Sequence, residues 1–194
     1  LAVAIPSPTK DPGGPSDSPA GAVIASEFHI EKIFQLAKNF GGSLSDFTVW
    51  LLERSLKTMG IRVKAQNENA CYLANYLENH PEVERVYYPG LKSHPDHELA
   101  KEQMRGFGGM LSFELKEGLD PSRFQKELKL IKSSMSLAGV ESTILSPTLT
   151  SHALLTPEER ASQGIREGLL RFSVGIEEKE DLMEDLEQAI QAVL

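Results

Sequence analysis

LLRFSVGIEEKEDLMEDLEQAI, residues 169–190, changes its hydrophobic period halfway along. LLRFSVGI is an apolar run of strand type. The segment that follows, to the last residue, sets Leu182, Leu186, Ala189, Ile190 and Val193 on one stripe at helical spacing. A strand followed at once by an amphipathic helix points to a small sheet covered by helices. Glu177, Glu178, Glu180 and Asp181 crowd the start of that helix, where the macrodipole favours anions, so they read as stabilising rather than catalytic. Arg171 breaks the pattern of the strand. A half-buried guanidinium needs an anion, and its planar fork suits a carboxylate; an internal salt bridge with one of the chain's many acids is the competing reading.

The same alternation of periods extends upstream. SMSLAGVES (134–142) is a second strand candidate, separated from the first by a polar loop and a helix beginning TPEER. Ser136 in that segment could present a hydroxyl and a backbone N–H just before Gly139, to the same carboxylate as Arg171. Asp120-Pro121 is a capped start for a helix over SRFQKELKLIK, with Phe124, Leu128 and Ile131 on one face. GGMLSFEL (108–115) reads as a strand with Leu111, Phe113 and Leu115 opposite Met110, Ser112 and Glu114, and VERVYYPG (83–90) as another. HPDHELAKEQM gives a short helix between them; His94 and His97 in it lack further ligands and read as part of a capped surface helix rather than a metal pair.

Residues 43–80 carry the longest helical signal. Ser43 or Ser45 caps it, Phe47, Val49, Trp50, Leu51 and Leu52 predict a buried first stretch, and Gly60 predicts a bend. Cys71, beside Tyr72 and Leu73, reads as a small core residue. Before this, GAVIAS (21–26) is a short strand closed by Ser26 as the cap of a helix over IEKIFQLAKNF, which Gly41-Gly42 ends.

The totals exclude several classes. At 194 residues the chain fits one large domain or one domain with an attachment, and 40% hydrophobic and 25% charged residues are ordinary for a soluble protein. A net charge of −8 argues against a general nucleic-acid or anionic-membrane surface. No apolar run approaches the roughly 18 residues of a spanning helix. A single cysteine precludes an intrachain disulfide and makes a cytoplasmic home the simplest.

The opening is different in kind. Five of the eleven prolines fall in residues 1–20, a segment without periodicity that reads as loop. Ser7-Pro8-Thr9-Lys10 fits the S-x-x-K pattern of serine acyl-transferases, but Asp11-Pro12 interrupts the helical turn such enzymes need, and no S-D-N or K-T-G partner follows.

Taken together, SLAGVESTILSPTLTSHALLTPEERASQGIREGLLRFSVGIEEKEDLMEDLEQAI, VWLLERSLKTMGIRVKAQNENA and VERVYYPGLKSHPDHELAKEQMRGFGGMLSFEL closely resemble the pyridoxal-phosphate-dependent Cys/Met-metabolism (trans-sulfuration) family. Cystathionine γ-synthase, the cystathionine lyases and methionine γ-lyase are its members. The resemblance runs over residues 20–194. Extended upstream, it brings Ser7, Thr9, Lys10, Gly14, Ser16, Asp17 and Ala20–Ile24 into register with the family's cofactor-lysine segment.

The resemblance implies the C-terminal half of a fold-type-I transferase of α/β to α+β class. Residues 1–20 would be the cofactor-lysine loop, 21–60 the end of the cofactor domain and start of a long linking helix, and 61–194 a small domain with a helix-covered antiparallel sheet. It implies pyridoxal 5'-phosphate as cofactor, Lys10 as its Schiff-base lysine, Ser7 and Thr9 as phosphate ligands, and Arg171 with Ser136 as the grip on the substrate α-carboxylate. It further implies a sulfur amino acid as substrate, elimination or replacement at its β- or γ-carbon, and a homotetramer. No metal, nucleic acid or membrane is expected. The family's pyridine-nitrogen aspartate, stacking tyrosine and further phosphate donors precede the lysine and are not in this sequence, so the chain alone is expected to be incomplete; the alternative is a catalytically incompetent chain with an assembly role. Pro6, Pro8, Asp11, Pro12, Pro15 and Pro19 depart from the family's pattern around the lysine, and Met135 stands where some γ-lyases carry glutamate.

Overall fold

The computed structural model describes residues 3–14 and 19–194, which form two compact units, 1–61 and 62–194. Pro15, Ser16 and Asp17 of the opening lie outside the described residues.

In the first unit β1 (Val3–Ala4) pairs antiparallel with β2 (Ile24–Ala25), which clasps the two ends of the proline-rich opening together. Helix α1 (Glu27–Phe40) follows Ser26 and stops at Gly41, whose φ of 73° is open to glycine at little cost and lets its N–H donate to the Ala37 carbonyl. Helix α2 (Asp46–Leu56) is capped by Ser45, whose Oγ accepts from the Thr48 N–H at 3.3 Å. Its apolar start is not buried as its composition predicts. Phe47 and Trp50 are 67% and 55% exposed, stacked on each other, because the described residues of this unit supply no layer to cover them.

Helix α3 (Met59–Glu78) begins after a break at Lys57-Thr58, where the Thr58 N–H and hydroxyl both donate to the Ser55 carbonyl. The interruption thus falls just before Gly60, which lies in the first turn of α3. In the second unit the helix buries Arg62, Gln66, Asn69, Ala70, Leu73, Ala74 and Leu77 along one stripe; Cys71 and Tyr72 fall outside that phase, and the cysteine is exposed rather than core.

The remaining elements build the sheet and its cover. They are β3 (Val83–Tyr87), α4 (His97–Gln103), β4 (Met110–Leu115), α5 (Pro121–Glu127), β5 (Lys132–Ser133), β6 (Thr143–Leu145), α6 (Pro157–Ser162), β7 (Leu169–Ser173) and α7 (Lys179–Gln191). The strand order is β3-β4-β7-β6-β5, antiparallel except for the parallel β5–β6 edge. Alternation puts Leu111, Phe113 and Leu115 of β4 and Leu170 and Phe172 of β7 on the core face, as the sequence predicts. Leu182, Leu186, Ala189 and Ile190 of α7, Val193 just beyond it and the apolar end of α3 join them in one cluster, and Phe124 of α5 meets Phe113 edge-on. The other face carries Ser112, Arg171 and Ser173.

Two expectations fail for one reason, the capture of backbone groups by distant side chains. The helix after Asp120 ends at Glu127, not at Lys132, because the N–H groups of Lys129, Leu130 and Ile131 all donate to the Asp185 carboxylate at 2.8–2.9 Å. SMSLAGVES is a loop, not a strand; its ends keep backbone bonds, Ser134 to Ile144 and Ser142 to Lys132, but its middle is held by the side chains described below, and β6 starts only at Thr143. The helix at TPEER forms with a full capping box between Thr156 and Glu159.

On the helical side, Glu187 accepts from the Tyr76 hydroxyl and from His80 Nε2 (3.0 Å), while His80 Nδ1 accepts from the Glu82 N–H. The Tyr76 bond is the main reason the Glu187 carboxyl sits below its ordinary range, with Gln191 and His80 adding to it against burial. A lowered carboxylate contributes stability that is fully present above the unfolded range and is lost as pH falls through the folded one. Glu187→Gln is therefore expected to lower the urea midpoint slightly at neutral pH, with the gap to wild type closing on acidification. A gap that stays constant with pH would show that ionisation of Glu187 contributes nothing.

Candidate functional site

Arg171 occupies the centre of β7, opposite Ser112 of β4 and Leu145 of β6. Its neighbours in sequence, Leu170 and Phe172, face the core, so period-2 alternation forces the guanidinium to the opposite face. The side chain is half-buried, and burial draws its pKa below the ordinary value. Nη2 donates to the carbonyls of Met135 (3.1 Å) and Ser136 (3.3 Å), and Nε is buried without a partner. Among the described residues no carboxylate pairs with it, so the internal salt bridge weighed from the sequence is not formed. Glu114, two residues from Ser112 on the same face, instead accepts from the Tyr87 hydroxyl at 2.7 Å and pairs with Arg166 at 3.5 Å. A cation steadied by neutral carbonyls, with an unspent donor, is arranged to receive an anion.

The carbonyls that hold Arg171 belong to the 134–142 loop, and that loop is fastened along its length. The Thr143 hydroxyl donates to the Ser136 carbonyl (3.0 Å), and the Ala138 N–H donates to Ser173 Oγ (2.7 Å). Gln66 of α3 donates to the Gly139 carbonyl at 2.8 Å. Glu177 accepts from the Ser142 N–H (2.6 Å) and hydroxyl (2.9 Å), and Ser142 Oγ in turn accepts from the Gly175 N–H. Glu177 is thus a loop anchor rather than a dipole-matched surface acid. Asn69 completes the clasp by donating to the carbonyls of Gly175 and Glu177. Ser136 is brought beside Arg171 as expected, but its N–H donates to Ser134 Oγ (3.2 Å), so what it can offer a ligand is its hydroxyl.

In the first unit Ser7, Thr9 and Lys10 share one tight turn. The Lys10 N–H donates to the Ser7 carbonyl (3.0 Å) and the Gly14 N–H to the Lys10 carbonyl (2.9 Å). A Cβ on Gly13 would overlap the Pro8 carbonyl, and Gly14 has a φ of 68°, so the glycine pair lets the turn close. Lys10 is half-buried and Ser7 exposed. Thr9 Oγ1 accepts from the Ala20 N–H (2.9 Å) and donates to its carbonyl (3.3 Å), which spends the hydroxyl's single proton on the clasp. A primary amine with a hydroxyl three residues away is a donor set that fits an aldehyde bearing a phosphate.

His97 Nδ1 bonds the Pro89 carbonyl at 2.8 Å and His94 Nδ1 accepts from the Asp96 N–H at 3.2 Å, so each imidazole is engaged locally. A surface groove of about 890 Å³ beside Tyr72, Tyr76, His80 and Glu187 lies among helices on the core side of the sheet, and in it Tyr76 and His80 both bond Glu187. No described helix is long and apolar enough to cross a membrane.

Sequence reasoning missed Ser173, Thr143, Gln66 and Ser142 as parts of this arrangement. Ser173 had a signal, since it lies two residues from Arg171 and so shares its face. Thr143 reaches only a short way back along the chain, to Ser136, whereas Gln66 and Ser142 act across long separations.

The family described as Cys/Met metabolism PLP-dependent enzyme matches residues 2–191. The cystathionine gamma-lyase of Bacillus subtilis (strain 168) is 43% identical over 192 residues, 98% of this chain and 51% of that protein. Chloroplastic cystathionine gamma-synthase 1 of Arabidopsis thaliana is 42% identical over 188 residues, 96% of this chain and 33% of that protein. The crystal structure of cystathionine gamma-lyase from Lactobacillus plantarum, complexed with L-serine, superposes with a TM-score of 0.93 at 38% identity, covering 100% of this chain and 51% of the other. Cystathionine gamma synthase from Xanthomonas oryzae pv. oryzae, in complex with cystathionine, gives a TM-score of 0.90 at 40% identity, covering 100% of this chain and 51% of the other. The chain spans about half the length, or less, of the relatives it matches.

Proposed function

Since the chain belongs to the Cys/Met-metabolism family of pyridoxal-phosphate-dependent enzymes, we propose that it supplies the cofactor lysine and the carboxylate grip of an enzyme acting at the β- or γ-carbon of a sulfur-containing amino acid. The observation that carries this reading is Arg171, a half-buried cation with an unpartnered Nε and no carboxylate of its own among the described residues. Bound pyridoxal phosphate supplies the electron sink for bond breaking at the α-carbon. Lys10 holds the cofactor through its amine and, once released from it, carries a proton to or from the substrate carbon. Ser7 offers its hydroxyl to the phosphate, while Thr9 acts through the turn it clasps. Arg171 and the Ser136 hydroxyl fix the α-carboxylate, and so decide which α-bond is presented for cleavage.

The finer readings follow the same family logic: a homotetramer in the cytoplasm. The exposed aromatic start of α2 is a surface that assembly or further polypeptide would cover, and it equally favours the alternative of a non-catalytic assembly role. One experiment separates the two. The full-length protein is incubated with pyridoxal phosphate, reduced with borohydride, digested and mapped by mass spectrometry. A pyridoxyl group concentrated on the Lys10 peptide is the expected result. Labelling spread over exposed lysines, with Lys10 unmarked, would overturn the catalytic reading.

A further inference from the structure

Ala138 is the one non-glycine residue with positive φ among those described, at 59°. It is buried, and alanine in that region is strained. Ser173 is 1% exposed, and its Oγ accepts from the Ala138 N–H at 2.7 Å. Two residues further back the Ser136 carbonyl accepts both from Thr143 Oγ1 (3.0 Å) and from Arg171 Nη2 (3.3 Å). Thr143 and Ser173 are direct partners across β6 and β7, and Ser173 is two residues from Arg171, so the three side chains lie on the same sheet face. A rigid pair of strands therefore grips one short loop at two points, and that loop in turn holds the guanidinium.

We infer that Ser173, with Thr143, is a positioning residue: it holds Ala138 in its left-handed conformation so that the Met135 and Ser136 carbonyls keep Arg171 aimed at the substrate carboxylate. The inference rests on the reading of Arg171 given above, but its geometry does not. Without the Ser173 hydroxyl the Ala138 N–H loses its partner, and the remaining bonds, from Thr143 to Ser136 and from Gln66 to Gly139, hold only its neighbours, so the loop relaxes at Ala138. Arg171 then loses its backing carbonyls and must be ordered again by each substrate that binds. The loss falls on KM rather than on the bond-breaking step.

The test uses the full-length enzyme and reads both binding and loop order. Ser173→Ala is expected to raise KM for the amino acid about 10-fold with kcat little changed, and to speed exchange of the Ala138 amide by a similar factor. Thr143→Val, which keeps side-chain shape, should raise KM in the same way. Ala138→Gly takes up positive φ without strain. Added to Ser173→Ala, it should restore most of the KM and sharpen the Arg171 Nε–H resonance; a merely structural loss of packing would not respond to it. Unchanged KM and unchanged Ala138 exchange in Ser173→Ala would overturn the inference, as would failure of Ala138→Gly to rescue. If wild type turns over no sulfur amino acid, the functional reading falls, while Ala138 exchange and the Arg171 resonance still decide whether Ser173 sets the loop.

Discussion

Asp185→Ala is expected to lower the unfolding free energy by about 3–5 kcal/mol, the largest effect of any single polar substitution in the second unit. The carboxylate is buried on α7 and accepts from three successive backbone N–H groups, those of Lys129, Leu130 and Ile131, and from the Gln188 side chain at 3.1 Å. Each bond to a charged acceptor is worth roughly 1.5–3 kcal/mol, but partly exposed donors recover water, so the contributions do not sum in full. The Ile131 donor is buried and bears most of the loss. Asp185→Asn keeps one acceptor oxygen and should cost about half as much. The check is the urea midpoint at constant m-value. A loss below about 1 kcal/mol in the alanine variant would mean that the chain between α5 and β5 is held by packing alone.

The same residue shows where sequence reading stops. Asp185 lies at the edge of the apolar stripe of an amphipathic helix, three residues after Leu182 and four before Ala189, so its phase hints at burial while nothing local says what it meets. Its role depends on a segment more than fifty residues away, which takes up a non-helical path because an anion waits for its N–H groups. The apolar stripe of α7, the alternation of β4 and β7 and the caps at Ser45 and Asp120 were legible because each is a local period or a local bond. The loop at SMSLAGVES was not. Its composition suits a strand, and only Ser173, Gln66 and Glu177, brought in by tertiary folding, turn its backbone away from pairing. Phe47 and Trp50 mislead in the opposite sense. Their apolarity correctly signals a surface that water does not favour, but the described residues of their unit supply no layer that covers it.

Arg171 was legible as an oddity, a cation in an apolar strand, and its chemistry sets the largest kinetic effect. Under the proposed function, Arg171→Ala in the full-length protein is expected to lower kcat/KM for an α-amino acid by about 10²–10⁴-fold, as losing two charge-assisted bonds to a carboxylate at roughly 1.5–3 kcal/mol each would do. Arg171→Lys keeps the charge but offers a point donor where the planar fork had two parallel ones, and its shorter reach abandons the Met135 and Ser136 carbonyls. It should recover only a small part of the loss. The decisive comparison is with a substrate analogue whose carboxylate is replaced by an amide. Wild type should discriminate against this analogue strongly, and Arg171→Ala hardly at all, because the alanine variant has no cation left for the carboxylate to reward. If the variant still prefers the carboxylate by the wild-type factor, another cation reads that group. Arg171 is then a structural brace for the loop it touches, and its unpartnered Nε has no part in binding.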